Sequence, residues 1–180
     1  MPLPLPTPPA LVQSDPEAAL FSLYPMVERE DWLGLLDRSR AMLTWDNMGE
    51  GTRAKVRWMV LRALSGALNR NRMKPAQAEG ILLGLEGKKV TFPLRDFGTL
   101  KDGEEVWAIE ADSRSAVGRD YSGRTPHTEH HLTLDPKAGA LPEGQALAEA
   151  TLEDYQVRSA LFGSHPRLTL RFREARFLRP

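Results

Sequence analysis

Three of the four histidines, His127, His130 and His131, fall within five residues beside Glu129, and the fourth is His165. Imidazole and carboxylate groups at this density can hold a divalent cation or move a proton. On a strand, alternation places His127, Glu129, His131 and Thr133 on one face and His130 with Leu132 on the other. Two imidazoles and a carboxylate on one face suit zinc or a similar ion, and His165 completes the shell if its strand is a neighbour. Such a centre would serve a metal-dependent phosphodiesterase or hydrolase. The plainer alternative is a partly exposed strand whose imidazoles bond neighbouring side chains or backbone. An acid–base pair such as Glu129 with His131 would also need a neighbour that moves its pKa towards neutrality.

The second chemistry is cationic. Lys+Arg and Asp+Glu number 24 each, so the formal net charge is zero, yet the charges are unevenly spread. From Arg53 to Lys74 there is no acid, whereas Asp15 to Asp37 holds six acids against Arg29 alone. The C-terminal stretch adds Arg167, Arg171, Arg173, Arg176 and Arg179 against Glu174. Cations that neutralise phosphates release condensed counterions, so Arg53, Arg57, Arg62, Arg70 and Arg72, together with Arg171 and Arg173, are candidates for a phosphate-backbone groove. A further segment, Asp112 to Pro126, carries Arg114, Arg119, Tyr121 and Arg124 among glycines and hydroxyls, which suits anion contact and base stacking. The alternative is that the basic helix packs beside the acidic helices and that the last arginines guard a sheet edge. The expected function is a non-catalytic binding or assembly module contacting RNA or DNA, or a module contacting another protein chain. No cofactor is expected.

Several enzyme signatures fail on spacing. No lysine follows Gly123 in the pattern of a nucleotide-binding loop, and no Gly-x-Ser-x-Gly elbow occurs. His131 and Thr133, with Leu132 and Leu134, are similar to one half of the histidine-x-threonine motif of two-histidine phosphoesterases, whose chemistry needs the motif twice. His165 is followed by Thr169 rather than by a hydroxyl two residues on, so that activity is not carried over. The doublet His130-His131 is similar to part of the histidine–asparagine–histidine nuclease motif, but no asparagine follows Asn71. The absence of cysteine removes thiolate nucleophiles, disulfide frameworks and cysteine-ligated metals.

The elements that must position these groups change character midway. Asp15-Pro16-Glu17, with Ser14, opens a first helix to about Tyr24, and a second segment from Val27 to Leu43 carries Trp32, Leu35, Leu36 and Met42 on one stripe. Thr52 to Leu68 is apolar all round and is predicted to be the central helix, and Pro75 starts a fourth to Leu85. Strands are predicted from Lys89 to Leu94, Val106 to Ile109, His127 to Leu134 and Arg167 to Phe172, with Asp102-Gly103 a turn and Ala111 to Pro126 a long loop. Thr151 with Asp154 caps a predicted late helix through Phe162. The fold class is α+β: an N-terminal helical layer of about four helices packed with a C-terminal, mostly antiparallel sheet plus one late helix. Its parts are a flexible proline-rich tail over 1–13, a helical subdomain over 14–87 and a β-rich subdomain over 88–180, forming one cooperative unit. With 41% hydrophobic residues the chain supports a core, and with no targeting or membrane segment read from it the expected location is the cytoplasm.

Overall fold

Asp15 accepts a hydrogen bond from the Glu17 amide at 3.1 Å and opens α1 (Pro16–Phe21), with Pro16 in the first turn, where its missing N–H is not needed. The computed structural model describes residues 15–98, 107–112, 114–122, 124–139, 141, 143–160 and 165–178. The proline-rich tail, Ser14 and the Asp102-Gly103 turn lie outside these residues. A short α2 (Tyr24–Glu28) has Pro25 in its first turn, and the chain then reverses at Glu30, whose φ is +55°. Asp31 caps α3 (Trp32–Met42) by accepting from the Gly34 amide at 3.2 Å. The segment read as one helix from Val27 is therefore two, because Glu30 takes a left-handed conformation that no helix continues through.

The central helix is α4 (Glu50–Asn69), buried along most of its length from Val56 onward. Asn71, at φ +52°, terminates it, with the Arg72 amide donating back to the Ala67 carbonyl at 2.8 Å. Pro75 then begins α5 (Pro75–Leu83). Among the described residues no helix is long and apolar enough to cross a membrane.

Seven strands follow: β1 (Lys89–Thr91), β2 (Arg95–Gly98), β3 (Trp107–Ile109), β4 (Ser115–Ser122), β5 (Thr125–Leu134), β6 (Gly144–Arg158) and β7 (Arg167–Leu178). Their pairings run β6–β2–β3–β4–β5–β7 and return to β6, so six strands close into a ring, while β1 lies beside β2 along the same edge of β6. The β2–β3 and β5–β7 pairs are parallel and the others antiparallel. Closure pairs each of the six ring strands on both sides and so limits the free edges at which sheets aggregate.

Two predicted elements change identity. The predicted late helix from Thr151 is strand instead, because β6 runs without interruption to Arg158. Ala146, Ala148, Ala150 and Leu152 alternate inward until a register shift between Leu152 and Asp154 moves the inward set to Tyr155 and Val157. The expected long loop is largely β4, whose Ser115, Arg119 and Tyr121 lie on the outer face while Ala116, Gly118 and Asp120 face the core and α4. The fold is α+β, with one hydrophobic core shared by the helices and the ring.

Within that core Phe92 meets Trp58 of α4 at 4.9 Å, Phe172 at 4.9 Å and Trp107 at 5.3 Å between ring centroids. Two glycines make room for indoles. A Cβ at Gly66 would lie 2.2 Å from Trp32, and one at Gly118 would lie 2.2 Å from Trp107. Gly66→Ala and Gly118→Ala should each cost about 1–3 kcal/mol by overpacking and lower the Tm by about 2–12 °C in thermal unfolding. Gly80→Ala, on α5 with nothing within 4 Å, should raise it instead.

Candidate nucleic-acid interface

The ladder between β4 and β5 contains one residue too many. Arg119 pairs with Glu129 and Asp120 with Thr128, but Tyr121 pairs with Pro126, so His127 has no partner across the hairpin. This is a β-bulge, and it breaks the alternation of side chains at that point. His127 and Thr128 consequently both reach α4, where Ser65 Oγ lies 3.4 Å from His127 Nδ1 and 2.7 Å from Thr128 Oγ1. The His127 ring also bonds the Tyr121 backbone, and its burial pushes the imidazole pKa below the usual range.

The bulge separates the residues expected to share a metal. Glu129 and His131 remain on the outer face, 3.2 Å apart between Oε2 and Nε2, with Arg119 Nε donating to Glu129 at 3.0 Å. Arg119 first, and then His131, holds the Glu129 carboxyl below the ordinary carboxylate range against a partial burial that raises it. His127 is turned to α4, and His165 lies at the end of the ring with its Nδ1 3.4 Å from Asn71 Nδ2. Among the described residues no three His, Asp or Glu groups gather to hold a metal ion. The expectation that His127, Glu129, His131 and His165 form one shell is corrected by this register.

His130, on the inner face, is 2% exposed. Its ring stacks on Trp107 at 5.5 Å and an 11° interplanar angle, and lies 5.3 Å from Trp58. Nε2 is 3.1 Å from Asp120 Oδ2, which also faces Arg62 Nη1 at 3.4 Å, while Nδ1 has no hydrogen-bond partner among the described residues. Burial alone would raise the Asp120 pKa, but the hydrogen bond from His130 and the charges of His130 and Arg62 outweigh it and keep the carboxyl well below its usual range. Arg62 in turn lies over the Trp32 ring at 5.2 Å. The group ties β4 and β5 to α4, and its imidazole is sealed from solvent.

The candidate arginines divide by partner. Arg53 donates to the carbonyls of Leu43, Trp45 and Met48, and Arg57 to Glu50 and the Lys89 carbonyl, so both hold the turn before α4 and the start of β1. Arg114 donates to the carbonyls of Asp135 and Ala138 and holds the turn after β5. Arg70 pairs with Glu30, Arg171 with Asp154 at 3.4 Å and Arg173 with Glu174 at 3.3 Å. Arg72 and Arg124 are exposed and have no acidic partner among the described residues.

The topology gathers a different set. Because β5 and β7 are parallel and β4 and β6 run against them, the end of β4, the start of β5, the end of β6 and the start of β7 meet at one end of the ring. The Asn71–His165 contact brings the end of α4 to the same place. Residues 69–75, 121–128, 155–160 and 165–170 contain no Asp or Glu, yet carry Arg70, Arg72, Lys74, Arg124, Arg158 and Arg167. Arg158 and Arg167 are direct ladder partners; Arg158 donates to the Gln156 amide oxygen at 3.3 Å, and among the described residues neither pairs with a carboxylate. Like charges facing each other across a ladder repel. An anion between them removes that cost. Arg119 and the half-exposed Tyr121 lie beside one another on the adjoining outer face. Arg158 was hidden by the helical reading of its segment; the legible signal was the absence of acids from all four stretches.

Comparison with family models, curated proteins and solved structures gives no match for this chain.

The depressed pKa values of His127 and Asp120, at the contact with α4, give stability a definite pH dependence. His127 contributes fully above the unfolded imidazole value of about 6.5, and this is lost as pH falls towards its lower folded value. Asp120 contributes above the unfolded carboxyl value of about 3.9, and this is lost on further acidification. Denaturation midpoints should fall in two steps, and His127→Gln should remove the first; a midpoint constant between about pH 7 and 5 would contradict the assignment. Asp120→Asn, which removes the negative charge that Arg62 and His130 share and puts an NH2 donor in place of one carboxylate oxygen, should cost about 1–3 kcal/mol.

Proposed function

We propose that the protein is a non-catalytic binding and assembly module that contacts a nucleic-acid backbone, RNA or DNA, at the acid-free end of its strand ring. The observation that carries this reading is the convergence there of Arg72, Arg124, Arg158 and Arg167, from four separate segments, without a carboxylate among the described residues to pair them. Fixed cations beside a half-exposed tyrosine are the recurring equipment for phosphate contact and stacking. Arg119 and Arg171 extend the cationic surface along the strands, although Glu129 and Asp154 share their charge.

A non-catalytic role is supported by the histidines. Three of the four are held by the fold, since His130 is enclosed, His127 bonds Ser65 and Thr128, and His131 bonds Glu129, while the exposed His165 stands beside Asn71. The proposed setting is the cytoplasm.

Titration with short single- and double-stranded DNA and RNA at about 50 and 200 mM salt tests the proposal. Binding should weaken steeply with salt, and Arg124→Gln with Arg167→Gln should lower the slope of log K against log salt by about 0.7 for each arginine on a single strand. Absence of binding at the lower salt would overturn it. So would an unchanged slope in the double variant.

A further inference from the structure

We infer that the nucleic acid held at this end of the ring is single-stranded, with one of its bases stacked on Tyr121. The inference rests on the function proposed above and adds the form of the ligand.

Tyr121 is 47% exposed and is the one exposed aromatic side chain on the seven strands among the described residues. A large apolar ring left in water beside a cationic end of the ring of strands gains most from a partner that is both anionic along its length and aromatic at its units. A single strand offers both, whereas a duplex keeps its base faces inside its own stack and presents mainly phosphates to such a ring.

The backbone that carries the ring is held. Tyr121 pairs with Pro126 immediately beyond the His127 bulge of β5, and the His127 ring bonds the Tyr121 backbone across the hairpin. The bulge itself is bonded to Ser65 on the buried central helix, directly and through Thr128. On one side of the ring lies Arg119, and one turn on at the hairpin tip is the exposed Arg124. Arg167 begins the strand beside β5, adjacent to the bulge. A stacked base on Tyr121 therefore has cations within reach of the phosphates on both sides. His127 is a positioning residue here, acting through the hairpin rather than on the ligand.

The test uses the full chain titrated with oligothymidylate, oligouridylate and a duplex of equal length at low salt. Both single strands should bind more tightly than the duplex, and the two single-strand arms show whether the sugar matters. Tyr121→Ala should weaken single-strand binding by about 5- to 150-fold and leave duplex binding unchanged, while Tyr121→Phe retains wild-type affinity. Because the side chain is exposed, the Tm of Tyr121→Ala should match that of the wild type, which separates a lost contact from a lost fold. Duplex binding equal to single-strand binding, or an unaltered Tyr121→Ala affinity, overturns this inference and leaves backbone contact standing. Failure of every nucleic acid to bind overturns both.

Discussion

The ring of Phe92 meets Trp58 from α4, Trp107 from β3, His130 from β5 and Phe172 from β7, so one side chain joins the central helix to three sides of the strand ring. It sits in the break between β1 and β2, where the pairing along β6 shifts by one residue and the Phe92 amide still donates to the Ala148 carbonyl at 2.8 Å. Closing strands into a ring leaves an interior that must be filled at the density of a crystal. Here the filling is aromatic, and it comes partly from outside the ring, through Trp58 of α4. The helical layer and the sheet are therefore not independent bodies resting on each other. Each completes the other's core.

That shared core sets the terms for the charges. Arg57, Arg62 and Asp120 lie at the boundary between α4 and the strands, where partial burial makes an unpaired ion costly, and each is matched by an opposite charge or a carbonyl. Arg53 and Arg114 are spent in the same way on the carbonyls of turns. Matching thins at one end of the ring, where the joined segments carry only bases and Arg70 alone among their arginines has a carboxylate partner, Glu30, among the described residues. A protein with equal numbers of acids and bases can pair them throughout, so this local surplus is a departure with a place, and the proposed contact surface is built on it.

Much of the helical half could be read from single residues: Asp15 caps, Pro75 starts a helix, and the apolar circumference from Val56 to Leu68 marks the buried one, whereas the cap at Asp31 was hidden inside a continuous helical pattern. The strands were legible where alternation was regular, as in β7. They were lost where tertiary demands overrode local preference. Ala146, Ala148 and Ala150 are small because they line a crowded interior, and beside Thr151 and Asp154 they mimic a capped helix. Gly118 weakens the strand signal of β4 because Trp107 occupies the space of its side chain. The bulge at His127 has no local signature at all, so the shared face of His127, Glu129 and His131 could not be tested without the register. The acid-free end was written in the composition of four stretches whose adjacency only the ring closure supplies.

The order of strands around the ring also bears on how the chain reaches its fold during synthesis. Residues 89–97 find their ladder partner in 144–151, and β7 must then settle between β5 and β6 to complete the circuit. The helices and the β4–β5 hairpin can form from neighbours as the chain emerges, but the seam waits for the last segment. Until it arrives, the edges of β5 and β6 that β7 will pair are uncovered, and unpaired strand edges are where a nascent chain is exposed to aggregation.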